Sequence, residues 1–120
     1  MSSDLDTVIG APVANDPKAA EKFFREGEAA EREGERARAI ELFRQAVEAG
    51  RHSHAMFRLA YNLDLMGEED EALSWYQELC ATPPAPINAL INLAVLHEDR
   101  GEVSAAEKCL RQVLDTQPNH

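Results

Sequence analysis

Gly67-Glu-Glu-Asp-Glu-Ala72-Leu-Ser-Trp-Tyr76 is matched in outline by Gly34-Glu-Arg-Ala-Arg-Ala39-Ile-Glu-Leu-Phe43 and by Gly101-Glu-Val-Ser-Ala-Ala106-Glu-Lys-Cys-Leu110. The glycines stand 33 and 34 residues apart, each with alanine five positions on and a large apolar residue four beyond that. A period of this size signifies a helical hairpin that cannot bury its apolar face alone and stacks on copies of itself. Such an array offers a binding surface rather than a catalytic cleft.

The register continues upstream of each glycine. Aligned columns read Phe23, Met56, Leu90; Glu26, Leu59, Leu93; Gly27, Ala60, Ala94; and Ala30, Leu63, His97. The third column is always small, which lets two helices approach while large neighbours fill the space around the contact. No stretch alternates as a strand does. Helices are expected near 17–33, 36–49, 53–66, 69–81, 86–99 and 103–116. Asn15-Asp16-Pro17 supplies a cap followed by proline, and Ser53 and Pro86 mark the starts of the third and fifth helices. The three glycines end helices at positive φ, and the acids after them, Glu35, Glu68 and Glu102, suit the positive end of the next helix.

The pattern apolar-x2-Leu-small-x2-apolar, then Gly, Ala-x3-aromatic and Pro resembles the tetratricopeptide (TPR) repeat, carried by Phe23 to Arg51, Met56 to Pro84 and Leu90 to Pro118. The resemblance implies an all-α fold of three stacked antiparallel helix-turn-helix repeats, a short right-handed α-solenoid. The repeats fall at about 20–52, 53–86 and 87–120, within a domain at 17–120 behind a flexible leader at 1–16. Glu26, Arg51 and His97 depart from the pattern, so the first repeat is expected to pack least well. The run from Asn92 to Gly101, with Cys109 to His120, looks like bacterial TPR proteins. In some of these a domain similar to the C-terminal domain of the RNA polymerase α subunit follows the array.

In TPR arrays the first helices of the repeats line a concave groove. The positions carried over are Glu21, Phe24, Glu28 and Glu31; His54, Phe57, Arg58, Tyr61 and Asp64; Asn88, Ile91, Asn92, Val95 and Glu98. Phe24, Phe57, Tyr61, Ile91 and Val95 would form an apolar strip with polar flanks, the anatomy of a peptide groove. Asn88 and Asn92, four apart, suit an extended backbone that both gives and accepts hydrogen bonds. Phe57 and Tyr61 read equally as groove or as packing between helices, and Val95 reads rather as core. The Glu21, Glu28, Glu31 stripe suits a basic partner.

The grip that some TPR arrays place on chaperone C-terminal tails needs lysine and asparagine on the first helix, asparagine on the third, and lysine and arginine on the fifth. The matching residues here are Phe24, Glu28, Arg58, Asn88 and Asn92. A tail carboxylate would meet the like charge of Glu28, so no such binding is expected.

Twenty-two acids against 12 lysines and arginines give a formal charge of −10. That charge repels phosphate backbones and argues against direct nucleic-acid binding, while also keeping an array soluble. No run of 18 apolar residues could span a membrane, and the N-terminus lacks the basic and apolar regions of a secretory signal. Cys80 and Cys109 fall at packing positions and read as buried small hydrophobes in a reducing, cytoplasmic setting.

Catalysis finds little support. No serine or cysteine falls beside a histidine in the repeat register, and the carboxylates lie on helix surfaces. His52 and His54 read as exposed histidines of a turn, without further ligands at metal-binding spacing. No cofactor or metal is implied. The chain ends at a repeat boundary with Ala105, Cys109, Val113 and Leu114 on the last helix uncovered. It is therefore expected to be part of a longer protein or to self-associate through that face. Leu5, Val8, Ile9 and Val13 in the leader raise a further expectation, that residues 1–14 occupy the groove as a stand-in peptide. The function expected is a protein-interaction scaffold; the alternative is a structural spacer with an empty groove.

Overall fold

The computed structural model describes residues 15–116, and residues 1–14 and 117–120, with the expectations that fall on them, lie outside the described part. The described residues form six helices: α1 (Pro17–Arg32), α2 (Arg36–Gly50), α3 (Ser53–Leu65), α4 (Glu69–Cys80), α5 (Ile87–Asp99) and α6 (Val103–Thr116). Each boundary lies within one residue of its expected position, and no strand occurs among the described residues. The chain divides into two compact units, residues 1–55 and 56–120.

In the first unit, Asp16 caps α1. Its Oδ1 accepts from the Ala19 N–H at 3.1 Å, with Pro17 as the first helical residue. The Asp16 N–H also donates to the Ala49 carbonyl at 2.8 Å, so the entry to α1 is held against the end of α2. The α1–α2 core is built from small and large residues set opposite one another. Gly27 is buried, and a Cβ placed there would lie 2.7 Å from two ring carbons of fully buried Phe43. The small column is therefore a close approach of the α1 backbone to an aromatic ring. Ala60 and Ala94, which continue that column, are buried in the second unit.

The three turns between paired helices share one hydrogen-bond pattern. Gly34, Gly67 and Gly101 sit at φ 80, 85 and 78°, a region costly for any side chain. The N–H of the following acid reaches back to a helix carbonyl: Glu35 to Ala30 at 2.9 Å, Glu68 to Leu63 at 2.9 Å and Glu102 to His97 at 2.8 Å. These bonds satisfy carbonyls that a helix end otherwise leaves open. The columns read from side-chain size thus also mark equivalent backbone acceptors.

The second unit buries Leu59, Tyr76, Leu90 and Leu96 among alanines. Tyr76 is its hub, with Phe57 meeting its ring edge-on at 5.9 Å. Asn62 is buried too and donates from Nδ2 to the Arg58 carbonyl at 2.7 Å, which spares its amide an unpaired burial. Arg51, which replaces the proline of the family pattern, ends α2 in the left-handed region at φ 48°.

Candidate functional site

Phe24 of the first unit stacks on His52, with centroids 4.5 Å apart and planes at 23°, and lies 5.9 Å from Phe43. Its ring is half-buried. His52 is half-buried, not an exposed turn residue. Its Nδ1 accepts from the Ala55 N–H at 3.2 Å, three residues on, so the imidazole caps α3. Ser53 is the first residue of that helix rather than its cap.

Because Nδ1 accepts, the neutral ring carries its proton on Nε2, which donates to Glu21 Oε1 at 2.9 Å. Glu21 also pairs with Arg25 at 2.9 Å. The His52 hydrogen bond, more than the Arg25 and histidine charges, holds the Glu21 carboxyl below the usual carboxylate range. Glu21 is therefore already satisfied, and the acidic stripe expected to meet a basic partner is reduced. Glu28 is half-buried on α1, and His54 is exposed on α3 with its ring 6.1 Å from Phe24.

In the second unit, Phe57, Arg58 and Tyr61 form one surface cluster. The Phe57 and Tyr61 rings lie 6.5 Å apart and nearly parallel, and the Arg58 guanidinium sits 4.5 Å above the Tyr61 centroid. Phe57 is half-buried against Tyr76, whereas Tyr61 is 37% exposed. Asn92 of α5 donates from Nδ2 to Tyr76 Oη at 3.1 Å, so Phe57 and Asn92 meet on the same phenol. Burial pushes that phenol up to about 12, and it stays neutral at ordinary pH. Asp64 is held above the usual carboxylate range by burial first, then by the charges of Glu69 and Asp99. Asn88 is exposed.

Val95 is 49% exposed, contrary to the expectation that it is core, and Ile91 is 41% exposed. The two line a cleft of about 420 Å³ with Ala94 and Glu98 of α5 and Val103, Ala106, Glu107 and Leu110 of α6. The face of α6 left open also differs from the expected one. Cys109 is buried and Ala105 and Val113 are half-buried, while Val103, Leu110 and Leu114 are exposed. The latter three lie at i, i+7 and i+11, on one side of the helix.

His97 is buried, and its Nδ1–H donates to Glu102 Oε1 at 2.7 Å, which lowers the Glu102 carboxyl. Cys80 and Cys109 are free thiols, and burial pushes Cys80 up to about 11 and Cys109 upward. Among the described residues no group of three or more metal-ligating side chains gathers, and no helix is long and apolar enough to cross a membrane.

Residues 13–86 match one tetratricopeptide repeat model and residues 89–120 match a second. Photosystem I assembly protein Ycf3 of Cyanophora paradoxa is 29% identical over 100 residues, 80% of this chain and 58% of that protein. The protein of the same name from Rippkaea orientalis is 26% identical over 100 residues, with the same coverage. The chain thus spans somewhat over half the length of these curated relatives. Among solved structures, MamA superposes with a TM-score of 0.77 at 22% identity, over 97% of this chain and 66% of its own. The first TPR of Spaghetti (RPAP3), bound to the HSP90 peptide SRMEEVD, gives 0.79 at 16% identity, over 91% of this chain and 87% of its own. YrrB, described as a TPR protein with an unusual peptide-binding site, gives 0.73 at 23% identity, over 99% of this chain and 60% of its own.

Proposed function

This chain belongs to the tetratricopeptide repeat family, and from that premise we propose that it is a non-catalytic protein-interaction module. Its ligand is a peptide or protein segment taken on the face that α3 and α5 present in the second unit, and the module works as part of a larger scaffold. The observation that carries this reading is the cluster around Tyr76. There Phe57 and Asn92 share one buried phenol, leaving Tyr61, Arg58 and Asn88 at the surface of the same unit. Aromatic area beside groups that hydrogen-bond a backbone is the composition of a peptide-recognition surface. Peptide binding by two structural neighbours supports the reading by analogy of fold.

The ligand favoured is an apolar segment with a cationic group near Asp64, whose carboxylate is costly to keep desolvated and gains from an opposite charge. A chaperone tail ending in carboxylates does not fit, since Phe24 and Glu28 stand where lysine and asparagine are needed. Peptides selected from a random library on the wild-type protein test the proposal. Tyr61→Ala and Asn88→Ala change exposed side chains and leave the Tyr76 contacts intact, so affinity for the selected peptides should fall about tenfold or more. Undiminished binding by both variants would refute the groove.

A further inference from the structure

We propose that His52 is a proton-operated latch: the neutral ring fastens the start of α3 to α1, and the imidazolium keeps its hold on α1 while releasing the first turn of α3. Three contacts within the first unit fix the ring. Its Nδ1 accepts from the Ala55 N–H at 3.2 Å, its Nε2–H donates to Glu21 Oε1 at 2.9 Å, and its face lies on Phe24 with centroids 4.5 Å apart. Only 16% of the side chain is exposed, so the ring has little freedom to exchange these partners for water.

The three contacts respond differently to one proton. Histidine is the side chain whose ordinary charge change falls between about pH 5 and 8, and its imidazolium carries a hydrogen on both nitrogens. A hydrogen on Nδ1 would point at the Ala55 N–H, setting donor against donor. Ala55 is fully buried, so its N–H finds no water while the first turn stays folded. The other two contacts hold or strengthen. A hydrogen bond to a carboxylate is reinforced when the donor is charged, and a cation over an aromatic face is attracted to it. The proton therefore breaks the cap and spares the tether.

The charged groups around the ring set the order of release. Glu21 faces it from α1, paired with Arg25 at 2.9 Å; His54 stands on α3 with its ring 5.8 Å away, and Arg51 precedes it in the chain. The bond from His52, ahead of the nearby charges, holds the Glu21 carboxyl below its ordinary 4.5, so this carboxylate is still ionised where histidines already carry their proton. As pH falls, the cap of α3 is lost first and the contact of Glu21 with His52 later. Serine or asparagine at this position would cap α3 without any such dependence. Histidine thus adds a response to acid that capping alone does not require.

The test is nuclear magnetic resonance of the whole chain, labelled with nitrogen-15 and titrated from about pH 8 to about pH 5. The ring nitrogens of His52 should report a hydrogen on Nε2 alone at the alkaline end and on both at the acid end. The Ala55 amide signal should move with the same midpoint. Its protection against hydrogen exchange, corrected for the intrinsic rate, should fall about fivefold or more across that midpoint. His52→Asn supplies an acceptor that does not titrate and should abolish both changes. Glu21→Gln should move the midpoint to lower pH, because the imidazolium loses its carboxylate. His54→Gln should leave the Ala55 response in place. The proposal is overturned by a neutral ring with its hydrogen on Nδ1, by an Ala55 amide that ignores the protonation of the ring, or by a response that survives His52→Asn or vanishes in His54→Gln. The first two outcomes are read on the unaltered chain, so they decide the matter even where a variant fails to fold.

Discussion

Gly27→Ala separates two effects that ordinarily oppose each other at a helical glycine. Within α1 alone the substitution is favourable by about 0.5–1 kcal/mol, because alanine loses less backbone freedom on folding. In this structure the new Cβ would sit 2.7 Å from Cδ1 and Cε1 and 3.1 Å from Cζ of Phe43, a ring with no exposed surface. Such overpacking costs about 1–3 kcal/mol when the neighbour cannot swing into solvent. The net expectation is destabilisation of about 0.5–2 kcal/mol. Phe43→Leu removes the ring atoms in the way, and in that background Gly27→Ala should turn stabilising by up to about 1 kcal/mol. The coupling in the double-mutant cycle is then about 1–3 kcal/mol.

Gly34→Ala is the control. Nothing lies within 4 Å of its Cβ position, so its cost comes from φ +80 alone. That cost is about 1 kcal/mol or more, and Phe43→Leu should not rescue it. Urea unfolding followed by circular dichroism at 222 nm reads all five variants, since the single tryptophan, Trp75, lies in the other unit. A Gly27→Ala protein more stable than wild type, or equal cycles at Gly27 and Gly34, would refute the close-approach argument.

Acid should weaken the first unit in a particular way. The folded Glu21 carboxyl lies below its ordinary 4.5, so its bond to His52 contributes above about pH 4.5 and is lost as pH falls through the lowered value. Glu21→Gln should flatten that part of a pH–stability curve, whereas an unchanged acid limb would exclude the contact. With burial raising both cysteines, Cys80 to about 11, thiol-reactive disulfide reagents at neutral pH should label the native chain slowly and the urea-unfolded chain fast. Equal rates would contradict their packing. A chaperone-type peptide ending in Glu-Glu-Val-Asp should give no measurable heat of binding, and a low-micromolar affinity in calorimetry would overturn the residue-by-residue reading of the clamp. Arg51→Gly should stabilise α2 by about 0.5–1 kcal/mol by relieving a side chain at φ 48°, less whatever contact that side chain contributes, and a lower melting temperature would reject it.

The fold was legible because its determinants are local and recur. A glycine at positive φ, an acid after it and a small residue seven positions before it each impose a geometric requirement, and three copies of the set leave no second register to choose. Even Glu26 and His97, which break the side-chain pattern, keep the backbone pattern: the His97 carbonyl accepts from Glu102 as the Ala30 and Leu63 carbonyls do from their glutamates. The expectation of weaker packing in the first repeat rested on side chains alone. Gly27 against Phe43 and the pinning of Asp16 to Ala49 are contacts that column comparison does not register.

The site was less legible because a column states which side of a helix a residue faces, and not what stands opposite. Val95 read as core because valine at a helix–helix position normally has a neighbour to cover it. Its exposure follows from what lies across from it, the open edge of α6 with Val103 and Leu110. Phe24 read as groove by the same logic, and its ring stacks on His52. His52 carries a local signal of its own. It is the residue immediately before Ser53, where a helix cap is needed, and imidazole Nδ1 can accept as a serine oxygen does. Once that nitrogen accepts from Ala55, Nε2 must donate, and Glu21, 31 residues away, is the acceptor it finds. A column alignment treats Glu21 and His52 as unrelated positions. The pairing requires knowing that α1 and the start of α3 meet within one unit, and it turns a surface carboxylate expected to await a partner into part of a helix cap.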